Sequence, residues 1–144
     1  MRVIALVENT SISKDYKSKH GLCLYIETKK HKLLFDLGSN SLFLGNAVKL
    51  DVDISDIDSV IISHGHNDHG GALKYFLENN AKANIYISRY AFEEYYANIL
   101  GMKWYVGLDR KLKDNPRIIL IEDEYVIDEE LQIFSNIEEH RYLP

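Results

Sequence analysis

The chain has one cysteine, Cys23, which excludes an internal disulfide framework and points to a reducing, cytoplasmic setting. It has two prolines, Pro116 and Pro144, both late, and no Pro/Gly/Ser tract or repeat, so nothing marks an internal boundary. No apolar run approaches the ~20 residues that span a bilayer, and the apolar residues ahead of Glu8 are too few for a signal-peptide core. No membrane partner is therefore expected. Basic charge is also short: 17 Lys+Arg stand against 22 Asp+Glu, a formal net charge of −5. Nucleic-acid binders normally carry a basic face, so no nucleic-acid partner is expected either. What is present is 144 residues, 46% of them hydrophobic, enough for one domain over residues 1–144 with its own core.

Periodicity predicts short strands first. Residues 2–7 are apolar and β-branched. Residues 22–28 alternate, with Leu22, Leu24 and Ile26 facing one way and Cys23, Tyr25 and Glu27 the other. A polar turn at 29–31 leads into a second strand over 32–37, which makes a hairpin. After Gly38-Ser39-Asn40, the residues Leu42, Phe43, Ala47, Val48 and Leu50 recur at helical spacing. Residues 59–63 read as a buried strand. A helix from Ala72 to Leu77 follows, then a strand over 84–88, an aromatic-rich helix over 90–100 and a strand over 117–121. Two short strands, 125–127 and 131–134, flank an acidic turn. A hairpin followed by β-α-β-α-β predicts an α+β fold, a mixed sheet with helices on one face. Cys23 falls inside a strand and reads as a small core residue.

The chemistry concentrates in one place. Three of the six histidines fall in the run HGHNDHGG, residues 64–71, directly after the buried strand. Residues at a strand end are held rigidly yet face solvent, and His64 and His66, at i and i+2, can direct ring nitrogens at one point. Imidazole and carboxylate are ligands for Zn²⁺ and also suit Fe²⁺ and Mn²⁺. Asp68 and His69 can serve a second ion beside the first. Two ions roughly 3.5–4 Å apart can share and acidify a water. The plain alternative is a solvated loop in which Asp68 caps the following helix.

The pattern His-x-His-x-Asp-His at the end of an apolar strand resembles the signature of the metallo-β-lactamase fold hydrolases. The words HGLCLYIET, LLFDLG and IISHGHNDHGGAL resemble, more narrowly, a branch of metal-dependent hydrolases that includes archaeal dihydropterin (methanopterin-precursor) synthases. The resemblance runs from Val7-Glu8-Asn9 to Phe134-Ser135-Asn136-Ile137. It implies the αββα sandwich, of which this chain matches the N-terminal half. It also implies that His64 and His66 bind a first metal, that Asp68 and His69 bind a second, and that Asp68 orients the nucleophilic water. Asp36 matches a carboxylate that supports the histidine loop from behind, as carboxylates behind metal ligands do. From the residues alone Asp36 equally reads as a turn residue.

The cofactor implied is one or two divalent ions, zinc first, with iron or manganese as alternatives. The function implied is hydrolysis of a small-molecule ester, lactone, amide or phosphoester by metal-activated water. The family's second half, which supplies further ligands, has no counterpart here, and no residue is assigned to the substrate. One sheet face, with Tyr25, Phe35 and Ile61, would then lack cover, which favours a homodimer of this truncated form. The rival reading is a non-catalytic metal-binding or dimeric assembly module. His20 either lines the site or is an exposed loop residue, His31 reads as solvated in a lysine-rich turn, and His140 reads as a surface residue. The aromatics Tyr90, Phe92, Tyr95, Tyr96 and Trp104 fit a substrate wall, a dimer contact or core. Residues 122–124 and 128–130 read as solvated acidic turns.

Overall fold

The computed structural model describes residues 1–7, 21–63, 72–88, 96–99, 102–105, 112 and 114–134. Six strands form the main sheet: β1 (Arg2–Val7), β2 (Cys23–Glu27), β3 (Lys32–Phe35), β4 (Ser59–Ile62), β5 (Asn84–Ser88) and β8 (Ile118–Ile121), in the spatial order β1-β2-β3-β4-β5-β8. The β1–β2 and β2–β3 pairs are antiparallel, whereas β3, β4, β5 and β8 are parallel to one another. Parallel neighbours need a crossover. Helices α1 (Leu42–Lys49) and α2 (Leu73–Asn79) supply it on either side of β4.

Both helices pack on the same face. Phe43 and Ala47 of α1 and Leu73 and Phe76 of α2 share one buried cluster with Cys23, Leu34, Val60, Ile62, Ile85 and Ile87. All four residues of β4 are buried, because the strand is central and covered on both sides. The expected mixed sheet with helices on one face is what the chain forms, and Cys23 is fully buried within it. Tyr25 differs from expectation. It packs on the helix face, because it shares the alternation of Cys23 and not that of Phe35.

Two buried side chains fasten this layer. Asn46 Nδ2 donates to Leu6 O at 2.8 Å, tying α1 to β1. Asn80, just after α2, donates to Ile54 O and Ile57 O, both at 2.9 Å, and its Oδ1 accepts from Ala83 N at 2.8 Å. Arg117 closes the same knot, with Nη2 on Asn80 Oδ1 at 2.8 Å and Nη1 on Asn80 O at 2.6 Å. Burial lowers the Arg117 pKa.

The opposite face carries Leu33, Ile61, Tyr86 and Ile121. A hairpin of β9 (Glu124–Val126) and β10 (Gln132–Phe134) packs there through Ile127, Leu131 and Ile133. A groove of ≈ 630 Å³ remains beside it, lined by Phe35, Ile61, Tyr86, Ile121, Ile133 and Phe134 among others.

Two expectations fail. The aromatic segment over 90–100 contains a strand instead of a helix: β6 (Tyr96–Ile99) pairs antiparallel with β7 (Met102–Tyr105). Aromatic and β-branched residues suit a pleated surface, and the antiparallel pairing with β7 holds Tyr96–Ile99 as a strand. Tyr90, Phe92 and Tyr95 lie outside the described residues. His31 is not solvated: its side chain is 12% exposed and lies between two carboxylates. The partner Asp128 comes from the acidic segment 128–130, about a hundred positions away in sequence, which local pattern cannot register.

Candidate metal centre

Strands β3 and β4 are parallel, so their C-terminal ends share one edge of the sheet. Open sheets of this kind place ligands at that edge. Asp36 follows β3 and Ser63 follows β4. Asp36 is fully buried, and its N–H donates to Ile61 O at 2.8 Å, continuing the ladder. Its Oδ1 accepts the Ser63 N–H and its Oδ2 the Ser63 hydroxyl, each at 2.6 Å. A buried carboxylate is tolerated only with such partners. The chain turns here with Asp36 at φ 57°, a left-handed conformation that Asp accepts better than most residues.

Gly38 follows at φ +82°. A side chain there would be strained, and its Cβ would lie 3.4 Å from Val7 Cγ1. Gly38 O accepts the Ala72 N–H at 3.0 Å. Ser63 and Ala72 flank residues 64–71. Both ends of HGHNDHGG are therefore tied to one three-residue turn, Asp36-Leu37-Gly38. The proposed ligands His64, His66, Asp68 and His69 lie outside the described residues, as do His20 and His140. Among the described residues no group of three or more His, Cys, Asp or Glu could hold a metal, and the acidic segments 122–124 and 128–130 form none. Ser63 and Gly38 were not singled out in the sequence. The signal available was the Asp-x-Gly spacing and a serine between the buried strand and the first histidine.

Asp36 also acts on Cys23. Burial chiefly, and the Asp36 charge second, push the Cys23 thiol well above its ordinary pKa. Ser39 Oγ, one residue beyond Gly38, is buried with no hydrogen-bond partner among the described residues. The donor set suits a divalent ion: three imidazoles and a carboxylate within six positions, between flanking residues Ser63 and Ala72 that the Asp36–Gly38 turn holds.

The metallo-beta-lactamase superfamily profile matches residues 19–140, and the chain belongs to that superfamily. An uncharacterized protein of Methanocaldococcus jannaschii is 32% identical over 131 residues, which is 88% of this chain and 49% of that protein. A protein named "Probable RNase" from the same organism is 46% identical over 54 residues, 35% of this chain and 12% of its own length. A crystal structure of a metal-dependent hydrolase of the beta-lactamase superfamily superposes with a TM-score of 0.70 at 27% identity, covering 92% of this chain and 46% of the other. The chain thus spans about half the length, or less, of the relatives it matches. Members of this superfamily use divalent metals, generally zinc. No helix among the described residues is long and apolar enough to cross a membrane.

Proposed function

We propose that this chain carries the metal-binding portion of a metal-dependent hydrolase, in which His64, His66, Asp68 and His69 hold one or two divalent ions, zinc first and iron or manganese as alternatives. The observation that carries this reading is the tethering of residues 64–71 at both flanks to the Asp36–Gly38 turn. A segment whose two flanking residues are fixed loses less freedom when its side chains converge on a ligand. A divalent ion bound there supplies acidified water and polarises the bond under attack. Asp68 orients that water and accepts its proton. Asp36 holds Ser63 and thereby sets where His64 begins. The substrate is a small-molecule ester, lactone, amide or phosphoester. A net charge of −5 favours this over nucleic acid. The buried lone cysteine supports a cytoplasmic setting for this one-domain unit.

The apolar groove on the face opposite the helices supports a second reading that bears on completeness. A twin copy covers that face, in an active homodimer or in a non-catalytic metal-binding assembly module. Metal analysis of the purified full chain, with mass by light scattering, tests both. Bound divalent metal in the wild type, lost in His66→Ala with the fold intact, is the expected result. Metal-free wild-type protein sinks the metal reading, and a monomer at micromolar concentration sinks the dimer. Stoichiometric metal without hydrolysis of generic esters or phosphodiesters favours the module.

A further inference from the structure

His31 stands in the turn between β2 and β3, at the opposite end of β3 from Asp36. Both of its ring nitrogens meet carboxylates. Nδ1 lies 2.7 Å from Asp58 Oδ1, ahead of β4, and Nε2 lies 2.6 Å from Asp128 Oδ2, in the β9–β10 turn. Each carboxylate is already an acceptor of other bonds. Asp58 Oδ2 takes the Lys32 N–H at 2.7 Å and Oδ1 the Ser59 hydroxyl at 2.8 Å. Asp128 Oδ1 takes the N–H groups of Glu130 at 2.8 Å and Leu131 at 3.1 Å. Neutral imidazole has one N–H and one lone pair, so it can donate to only one of two ionised carboxylates. The imidazolium alone satisfies both.

The other charges around the ring are accounted for. Lys32 and Lys82 both pair with Asp56, at 2.6 and 3.1 Å. Glu130 accepts from the Thr28 hydroxyl and from Lys30 N at 3.2 Å, and Lys30 pairs with Glu129. Lys29 lies in the same turn. The Lys30–Glu129 pair is exposed on both sides and holds little. His31, 12% exposed, is the shielded polar tie between the sheet and the hairpin. That hairpin lays Ile127, Leu131 and Ile133 on the sheet, stacks Tyr125 against Tyr86 with ring centroids 5.3 Å apart, and walls the ≈ 630 Å³ groove.

We propose that His31 is a proton-operated latch: as imidazolium it pins the β9–β10 hairpin across the apolar face of the sheet, and on losing its proton it releases Asp128 and lets the hairpin lift from the groove. The hydrogen bond to Asp58 chiefly, against the opposing effect of burial, and then the bond to Asp128 hold the His31 pKa above the ordinary imidazole value. A raised imidazole stabilises the latched form fully below its unpaired pKa and loses that stabilisation as pH rises through the raised value. The latch is closed below the raised His31 value and opens as pH climbs through it.

Hydrogen exchange of the full chain tests this, read at the Ile127 amide, which donates to Leu131 O inside the hairpin. After correction for intrinsic rates, its opening equilibrium rises as pH climbs through the raised His31 value, roughly tenfold for each unit by which the Asp128 contact raises that value over the opened form, which keeps Asp58. ¹⁵N-imidazole titration of the wild type assigns that rise to His31. In Asp128→Asn the opening is larger in neutral solution, its pH dependence is lost, and the His31 pKa falls. A flat wild-type profile overturns the latch. So does an alkaline rise retained in Asp128→Asn, since it places the titrating group on another of the six histidines. The wild-type titration needs no variant, so a poorly folding substitution does not block the test.

Discussion

Asp36 grips Ser63 with both carboxylate oxygens, one on the backbone N–H and one on the hydroxyl, each at 2.6 Å, inside a fully buried turn. Ser63 is the last described residue before the histidine run. Asp36→Ala removes the charged acceptor of both the Ser63 N–H and its hydroxyl, a loss of about 1–3 kcal/mol of stability. Metal affinity falls about 10–100-fold if the turn positions the ligands. Denaturant unfolding with parallel metal titration checks both. An unchanged metal affinity in a folded Asp36→Ala protein breaks the proposed link between turn and site.

Gly38 is a second point of control. At φ +82°, Gly38→Ala costs about 1–2 kcal/mol through the left-handed backbone alone; the 3.4 Å to Val7 Cγ1 is an ordinary contact. A drop in Tm is expected. A variant as stable as the parent refutes the claim that this turn is conformationally constrained.

Asn80 serves as a buried junction for Ile54, Ile57, Ala83 and Arg117. Asn80→Ala strands several of these groups at once and destabilises by about 2–3 kcal/mol. Arg117→Ala removes one set of them and costs less. Urea midpoints for the two variants, measured side by side, give the order.

Cys23 is silent in the native protein. Burial and the nearby Asp36 charge keep its thiol protonated at about pH 8. A thiol reagent labels it only in denaturant. Labelling at the rate of a free thiol in native buffer contradicts the buried placement.

The acid side of the His31 network has its own sign. The hydrogen bond from His31 holds the Asp128 pKa below its ordinary value. A lowered carboxylate stabilises the fold above its unfolded pKa and loses this as pH falls through the folded value. Ile127 exchange is therefore expected to rise again in strong acid in the wild type and to do so less in Asp128→Asn. The hairpin is held best between these two limits.

Much of the sheet is legible in local pattern. The alternation of 22–28 sets Cys23 and Tyr25 on one face, and the run at 59–63 reads as a buried strand, observed over Ser59–Ile62. The segment over 90–100 is not legible in this way. Its aromatics fit a helical spacing as well as a pleated one, and pairing between Tyr96–Ile99 and Met102–Tyr105 decides the matter. His31 is illegible for a different reason: its lysine-rich neighbours describe a solvated turn, while its partners arrive from residues 58 and 128.

The sequence by itself determined the superfamily and the residue types available for metal chemistry. HGHNDHGG and its flanking strand are contiguous, and contiguous information survives without a fold. Tertiary structure alone decided which group Asp36 grips and what Gly38 and His31 meet. The ties from Asp36 to Ser63 and from Gly38 to Ala72 join residues that are distant in sequence and meet only because parallel β3 and β4 end at the same edge. His31 gained Asp58 from the entry to β4 and Asp128 when the β9–β10 hairpin folded back on the sheet, contacts that chain closure creates and local pattern does not carry.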